Sequence, residues 1–144
     1  MGSHISAAIE VRRSIETVYQ QMTRFESFPQ FIEGVVEVQQ LDDTHLFCRI
    51  DVGTATRGLY IAITEQRAQD RVAWRSDDGG PAHSGSLSFQ RIGDGATRVT
   101  AHMTIDPTAF ADNAANRLGL LDRRMRSGLD EFKQFIESKG AQSK

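Results

Sequence analysis

The sequence predicts an α+β domain in which an antiparallel sheet of about seven strands wraps around one long C-terminal helix. Three observations predict it. From Gly34 to Asp106 apolar and polar residues alternate with period two, interrupted only by short turn clusters. From Phe110 to Ile136 the apolar residues recur at steps of three and four, as one continuous helical stripe. The turn clusters are only a few residues long, which favours strands that pair with their sequence neighbours.

Ile5 to Val11 reads as the first strand. Ser14 reads as an N-cap, because Ile15, Val18, Tyr19 and Met22 then share one helical face. Pro29 in Phe25-Glu26-Ser27-Phe28-Pro29-Gln30-Phe31 interrupts that helix and leaves an aromatic turn or a second short helix whose rings serve as anchors. Leu46, Cys48, Ile50 and Val52 then alternate with polar neighbours, as do Leu59, Ile61 and Ile63. Val72 and Trp74, Leu87 and Phe89, and Val99, Ala101, Met103 and Ile105 continue the pattern. Apolar-in, polar-out alternation marks antiparallel strands with one face in water. Asp42-Asp43, Gly53-Thr54, Gln69-Asp70, Asp77 to Pro81 and Gly93-Asp94-Gly95 supply the turns.

Asp106-Pro107 opens the last third as N-cap and first helical residue, or lies a few residues before the start. Phe110, Ala114, Leu118, Leu121, Met125, Leu129, Phe132 and Ile136 form the stripe, with Asp122 and Arg126 as an i,i+4 pair on another side. A helix unbroken to Ser138 is about 40 Å long at ~1.5 Å per residue, and Gly140 is its expected stop.

The chain has 144 residues, of which 39% are hydrophobic and 25% charged, so it is long enough for one domain with a real core. That domain is placed at 5–140, with Met1-Gly2-Ser3-His4 set aside as an expression scar. No apolar run approaches the ~20 residues of a membrane helix, so a span is not expected. With 17 basic against 19 acidic residues, nothing drives the chain toward nucleic acid. Cys48 is the only cysteine, which excludes an internal disulfide and any CxxC motif and fits a reducing, cytoplasmic setting. His4, His45, His83 and His102 have no metal-ligand spacing, so no metal site is expected, and no feature requires a cofactor. GxSxG, Walker and GxGxxG sequences are absent. Cys48 itself reads as inert packing in a strand interior.

An apolar helix stripe and an apolar sheet face must cover one another. A curved sheet meets a straight helix along a line and diverges on either side, so the arrangement allows a pocket. Strand parity selects its lining. Arg57, Leu59 and Ile61 share one side of their strand, Trp74 shares a side with Ser76, and His83 shares one with Leu87. Met103 from the last strand, and Leu121 and Met125 from the helix stripe, complete the expected lining. An inward arginine can hold an enolate or carboxylate oxygen, and an inward imidazole can move a proton near neutral pH. Arg57 and His83 are therefore the catalytic candidates.

Taken in order, these elements resemble the helix-grip fold of the START-like (SRPBCC) superfamily, and within it the small polyketide cyclase/dehydrase proteins. The resemblance rests on Phe25 to Val35, Leu41-Asp42-Asp43-Thr44, Ile63-Thr64-Glu65-Gln66 and Arg71-Val72-Ala73-Trp74-Arg75-Ser76. Gly85 to Phe89, Thr97-Arg98-Val99-Thr100 and Phe132 to Glu137 complete it, so that it spans nearly the whole chain. It implies a cavity for hydrophobic small molecules between sheet and helix, in a group that includes aromatase/cyclases, lipid and quinone carriers, and steroid binders. Similar proteins often carry tryptophan where this chain has Cys48 and Leu59, and both changes enlarge the interior. They also commonly carry asparagine at the position of His83, and a glycine after the Asp-Pro that is missing from Asp106-Pro107-Thr108-Ala109.

The expected function is binding of a hydrophobic, partly oxygenated small molecule in that cavity. The alternative is a polyketide-type aromatase/cyclase or dehydratase acting there through Arg57 and His83. A third reading is a protein-interaction module with a filled interior, whose protein partner the sequence does not name.

Overall fold

The computed structural model describes residues 3–32, 35–51, 56–77, 83–105 and 114–143, and of residues 3, 57, 83, 105, 114–122 and 139–143 the backbone alone. Strand β1 (Ser3–Val11) is followed by helix α1 (Ile15–Met22) and a 3-10 helix (Phe25–Gln30). Strands β2 (Val35–Gln40), β3 (His45–Asp51), β4 (Thr56–Arg67), β5 (Arg71–Ser76), β6 (His83–Gly93) and β7 (Ala96–Ile105) then form a meander, and helix α2 (Ala114–Ser143) closes the chain. All seven strands are antiparallel in one sheet, in the order β1-β7-β6-β5-β4-β3-β2. The sheet is curled into a half-barrel. Register shifts at Val35/Glu37, Ile63/Glu65 and Arg91/Gly93 contribute to that shape, because a bulge bends its strand and raises the local twist.

The ends of the elements follow local chemistry. The Ser14 side chain accepts from the backbone N–H of Thr17 and caps α1. Pro29 sits inside the 3-10 helix and has no N–H to donate, in keeping with a helix of only six residues. Gly93 pairs with Ala96 across the two-residue turn Asp94-Gly95. Two expectations change. Ser3 and His4 belong to β1, opposite Ile105 and Thr104, and the His4 ring lies 3.1 Å from the Thr104 hydroxyl. Gly140 does not stop α2, which runs on to Ser143. A glycine in a helix interior costs only ~1 kcal/mol relative to alanine, too little to end a helix by itself. The expected turns at Gly53-Thr54 and in 78–81, the Asp106-Pro107 cap, and the side-chain pair of Asp122 with Arg126 lie outside the described residues.

The core is dense at one end. Val11, Val18, Val99 and Phe132 have no exposed surface, and Leu129, Ile136, Met22, Phe25 and Phe89 are nearly as buried. Each such side chain contributes roughly 1.5–3 kcal/mol by leaving water. Helix α1 packs on β6 and β7 there, with Tyr19 edge-on to Phe89 at 5.4 Å. The Thr97 hydroxyl, fully buried, donates to the Arg13 carbonyl.

Helix α2 runs between β1, one edge of the sheet, and the segment of Phe31 and Asp51. On one flank Arg126 reaches the Ser6 carbonyl and Lys133 the Glu10 carbonyl, while the backbone N–H of Arg12 donates to Glu137 Oε2 at 2.9 Å. On the other, Phe135 stacks on Phe31, and Arg124 Nη1 donates to the Asp51 carbonyl at 2.6 Å. Along β1 the helix therefore advances with the strand, and its N-terminal half extends toward the Ser3 end. The small inner pair Ala7 and Ala101 lies on that approach. Among the described residues no helix is long and apolar enough to cross a membrane.

Candidate functional site

The inner face of the sheet is sealed at the α1 end and half-open at the other. Cross-strand register orders it. One row runs Val72, Leu87, Ala101, Ala7, all of them buried. The next runs Ile63, Trp74, Gly85, Met103, Ile5. In that row Trp74 and Met103 are only half-buried, although they face the helix. The same holds for Cys48 opposite Leu59, for Ile50 opposite Arg57, for Ser76 opposite Ile61, and for Met125 on α2. Apolar side chains that point inward and still touch solvent outline a space between sheet and helix, where curled sheet and straight helix diverge.

The expected lining divides three ways. Leu59, Trp74, Ser76, Met103 and Met125 belong to the half-open ring. Ile61 and Leu87, at 8% and 9% exposure, are core residues directly behind it. Arg57, His83 and Leu121 have their backbones in β4, β6 and α2, and their side chains lie outside the described residues.

Register also measures the span of the site. His83 is two residues beyond Gly85, and so level with Ser76, which pairs with Ile61. Arg57 is four residues further along β4 from Ile61. At ~3.3 Å per residue and ~4.8 Å per strand, the backbones of Arg57 and His83 are on the order of 16 Å apart.

The described residues of the ring are uncharged. Burial pushes the Cys48 thiol up to about 11, so it is neutral at physiological pH. The donors here are that thiol, the Ser76 hydroxyl and the indole N–H of Trp74; the thioethers of Met103 and Met125 add polarisable surface. Such a ring can hold an apolar framework that carries a few oxygens. Among the described residues no three histidine, cysteine or acidic side chains are grouped to hold a metal ion.

Sequence reasoning missed Ile50 and Cys48 as ring members. The parity that selected Leu59 applies equally to them, since both pair with β4. It also missed Arg124, whose reach to Asp51 depends on where the helix crosses the sheet. On the convex face, Phe47 lies over Gly58 and 5.0 Å from Tyr60, a cross-strand aromatic pair at positions read as polar-out.

A family model described as polyketide cyclase / dehydrase and lipid transport matches residues 11–133. An uncharacterised 17.2 kDa protein of Streptomyces lincolnensis is 33% identical over 141 residues, covering 98% of this chain and 94% of that protein. Among solved structures, a protein from Thermus thermophilus superposes with a TM-score of 0.83 at 15% identity, covering 95% of this chain and 99% of that one. The Zhui aromatase/cyclase from a Streptomyces species gives 0.83 at 13% identity, covering 95% and 94%. A START superfamily protein from Mycobacterium smegmatis gives 0.76 at 14% identity, covering 92% and 98%. The fold is thus the START-like helix-grip fold, and the family match supports a ligand-binding cavity.

Proposed function

Because this chain belongs to the polyketide cyclase/dehydrase and lipid transport family, we propose that it binds a hydrophobic, partly oxygenated small molecule between sheet and α2. The ligand class is polyketide-, lipid- or quinone-like. The observation that carries this reading is the contrast along the inner face: a closed core at Val72, Leu87 and Val99, and half-buried apolar residues at Cys48, Leu59, Trp74, Met103 and Met125. The described part of the wall is uncharged and favours an apolar framework, because a bare ion against it would lose its hydration without a partner.

Native mass spectrometry of protein purified from its source tests the reading. A defined small molecule that is released on unfolding supports it. An apo mass, together with no thermal shift across aromatic polyketides, quinones and fatty acids, would overturn it in favour of the protein-interaction module.

The likeness in fold to an aromatase/cyclase favours a second reading, in which the cavity also closes rings. An enol carbon would add to a carbonyl carbon and water would leave. Arg57 would hold the carbonyl oxygen, and His83 would take the α-proton and return one to that oxygen as it departs as water. Confining a flexible chain supplies part of the acceleration. The two readings separate on R57A and H83A. A carrier loses affinity in both, and a cyclase loses turnover while its affinity is retained.

A further inference from the structure

The binding reading above leaves open how the site recognises oxygen, and one described residue answers that. Trp74, the chain's only tryptophan, stands on the inner face of β5 directly across from Gly85 of β6. A Cβ built on Gly85 would lie 2.7 Å from Cε2 of the indole, closer still to Cζ2, and 2.9 Å from the His102 carbonyl oxygen. The ring therefore lies down against the bare backbone of Gly85, in space that any side chain at that position would take.

The polar edge of the ring is at this contact, since Nε1 is bonded to Cε2. An indole N–H in an apolar setting normally finds an acceptor. Among the described residues no acceptor meets it, and the Trp74 side chain makes no hydrogen bond to them. Arg13 Nε is the one fully buried side-chain polar atom without a partner among the described residues, so the Trp74 donor is not sealed in. Beyond Gly85 on the same face stands the half-buried Met103. Arg57, six residues along β4 from the Ile63 that faces Trp74, is about 20 Å of strand away.

We propose that Nε1–H of Trp74 donates a hydrogen bond to a ketone or other uncharged acceptor oxygen of the bound ligand. The site then selects an apolar molecule bearing that oxygen over a hydrocarbon of the same shape. Trp74 is its specificity residue, and Gly85 is what sets the ring in place.

The test uses two pairs of probes, each matched in shape and differing in one carbonyl: 9-fluorenone with fluorene, and 2-tridecanone with tridecane. Since Trp74 is the only tryptophan, 15N-labelled protein gives a single indole N–H resonance. The ketone of a pair that binds should bind about tenfold tighter than its hydrocarbon, the scale of one net hydrogen bond. It should also move that resonance downfield, which the hydrocarbon should not. In W74F the preference should fall to about one while hydrocarbon affinity is kept. Equal binding of ketone and hydrocarbon, an unmoved resonance on ketone binding, or a preference that survives W74F would overturn the proposal and leave the binding reading standing. Binding of none of the four probes, with none of the thermal shifts sought above, would remove both. The resonance is read on the wild-type chain, so the test does not depend on the folding of W74F.

Discussion

The ring of Phe31 stacks on that of Phe135, with centroids 4.7 Å apart and planes at 25°, and lies 5.5 Å from Phe132. Phe28 and Phe25 continue the chain of rings at 5.7 and 5.9 Å. The 3-10 helix is thereby fastened to α2 at the end where the core is sealed. Phe31→Ala removes the central ring and leaves a cavity. It should cost about 3–4 kcal/mol, read as a lower midpoint in urea with an unchanged slope. A loss below about 1 kcal/mol would mean that these rings anchor nothing.

Gly85→Ala places a methyl group inside the Trp74 contact, with the His102 carbonyl behind it. The indole and the backbone at His102 must both give to relieve the overlap. The expected cost is about 1–3 kcal/mol, with a shift in the emission of the lone tryptophan. Gly95→Ala is the control, because a Cβ there meets nothing within 4 Å. Its emission spectrum should match that of wild type.

Burial acts on Glu137 to raise its pKa, but the Lys133 ammonium at 2.7 Å and the Arg12 backbone N–H outweigh it and hold the carboxyl below its usual value of 4.5. The Arg13 guanidinium also donates to the Glu137 carbonyl. A carboxylate with a depressed folded-state pKa contributes stability above its unfolded value and loses it as pH falls through the folded one. The surface setting limits this to about 1–2 kcal/mol. Wild type should therefore exceed Glu137→Gln in stability at pH 7, and the gap should close below pH 4.5. A gap that persists at about pH 2.5 would show that the charge is not its source.

Cys48 titrates near 11 because its thiol is desolvated. At pH 8 a free thiol near 9 is about one-tenth ionised, and Cys48 about one-thousandth. Iodoacetamide should therefore alkylate the native protein about a hundredfold more slowly than the urea-unfolded chain. A ligand in the ring should slow it further. The same shift makes alkaline pH destabilising, since the unfolded thiol ionises first as pH rises past 9. Native labelling as fast as unfolded labelling would place Cys48 outside the ring.

Much of the architecture was legible because it rests on short-range rules. Period two marks strands, steps of three and four mark α2, and Ser14 and Asp94-Gly95 carry their own cap and turn chemistry. Parity also placed Leu59, Trp74, Ser76 and Met103 on one face. What parity does not tell is depth. Ile61 and Leu87 have the same parity as Leu59 and Trp74, yet they are core, because burial depends on what distant segments lay over each position. Gly140 failed as a stop signal for a related reason: one glycine is a weak local preference against a helix already propagating.

By itself, then, the chain's residue order determined the six-strand meander, the long helix and the parity of the strand residues, since those follow from backbone geometry and alternation within a few residues. Only the tertiary structure decided where the interior is filled and where it is open. That depends on how far a curled sheet departs from a straight helix, and on which side chains from distant segments enter the gap. The Trp74–Gly85 contact is of this kind. Eleven positions separate the two in sequence, and only the pairing of β5 with β6 brings a ring onto a backbone without a side chain, with its donor left for a ligand to meet.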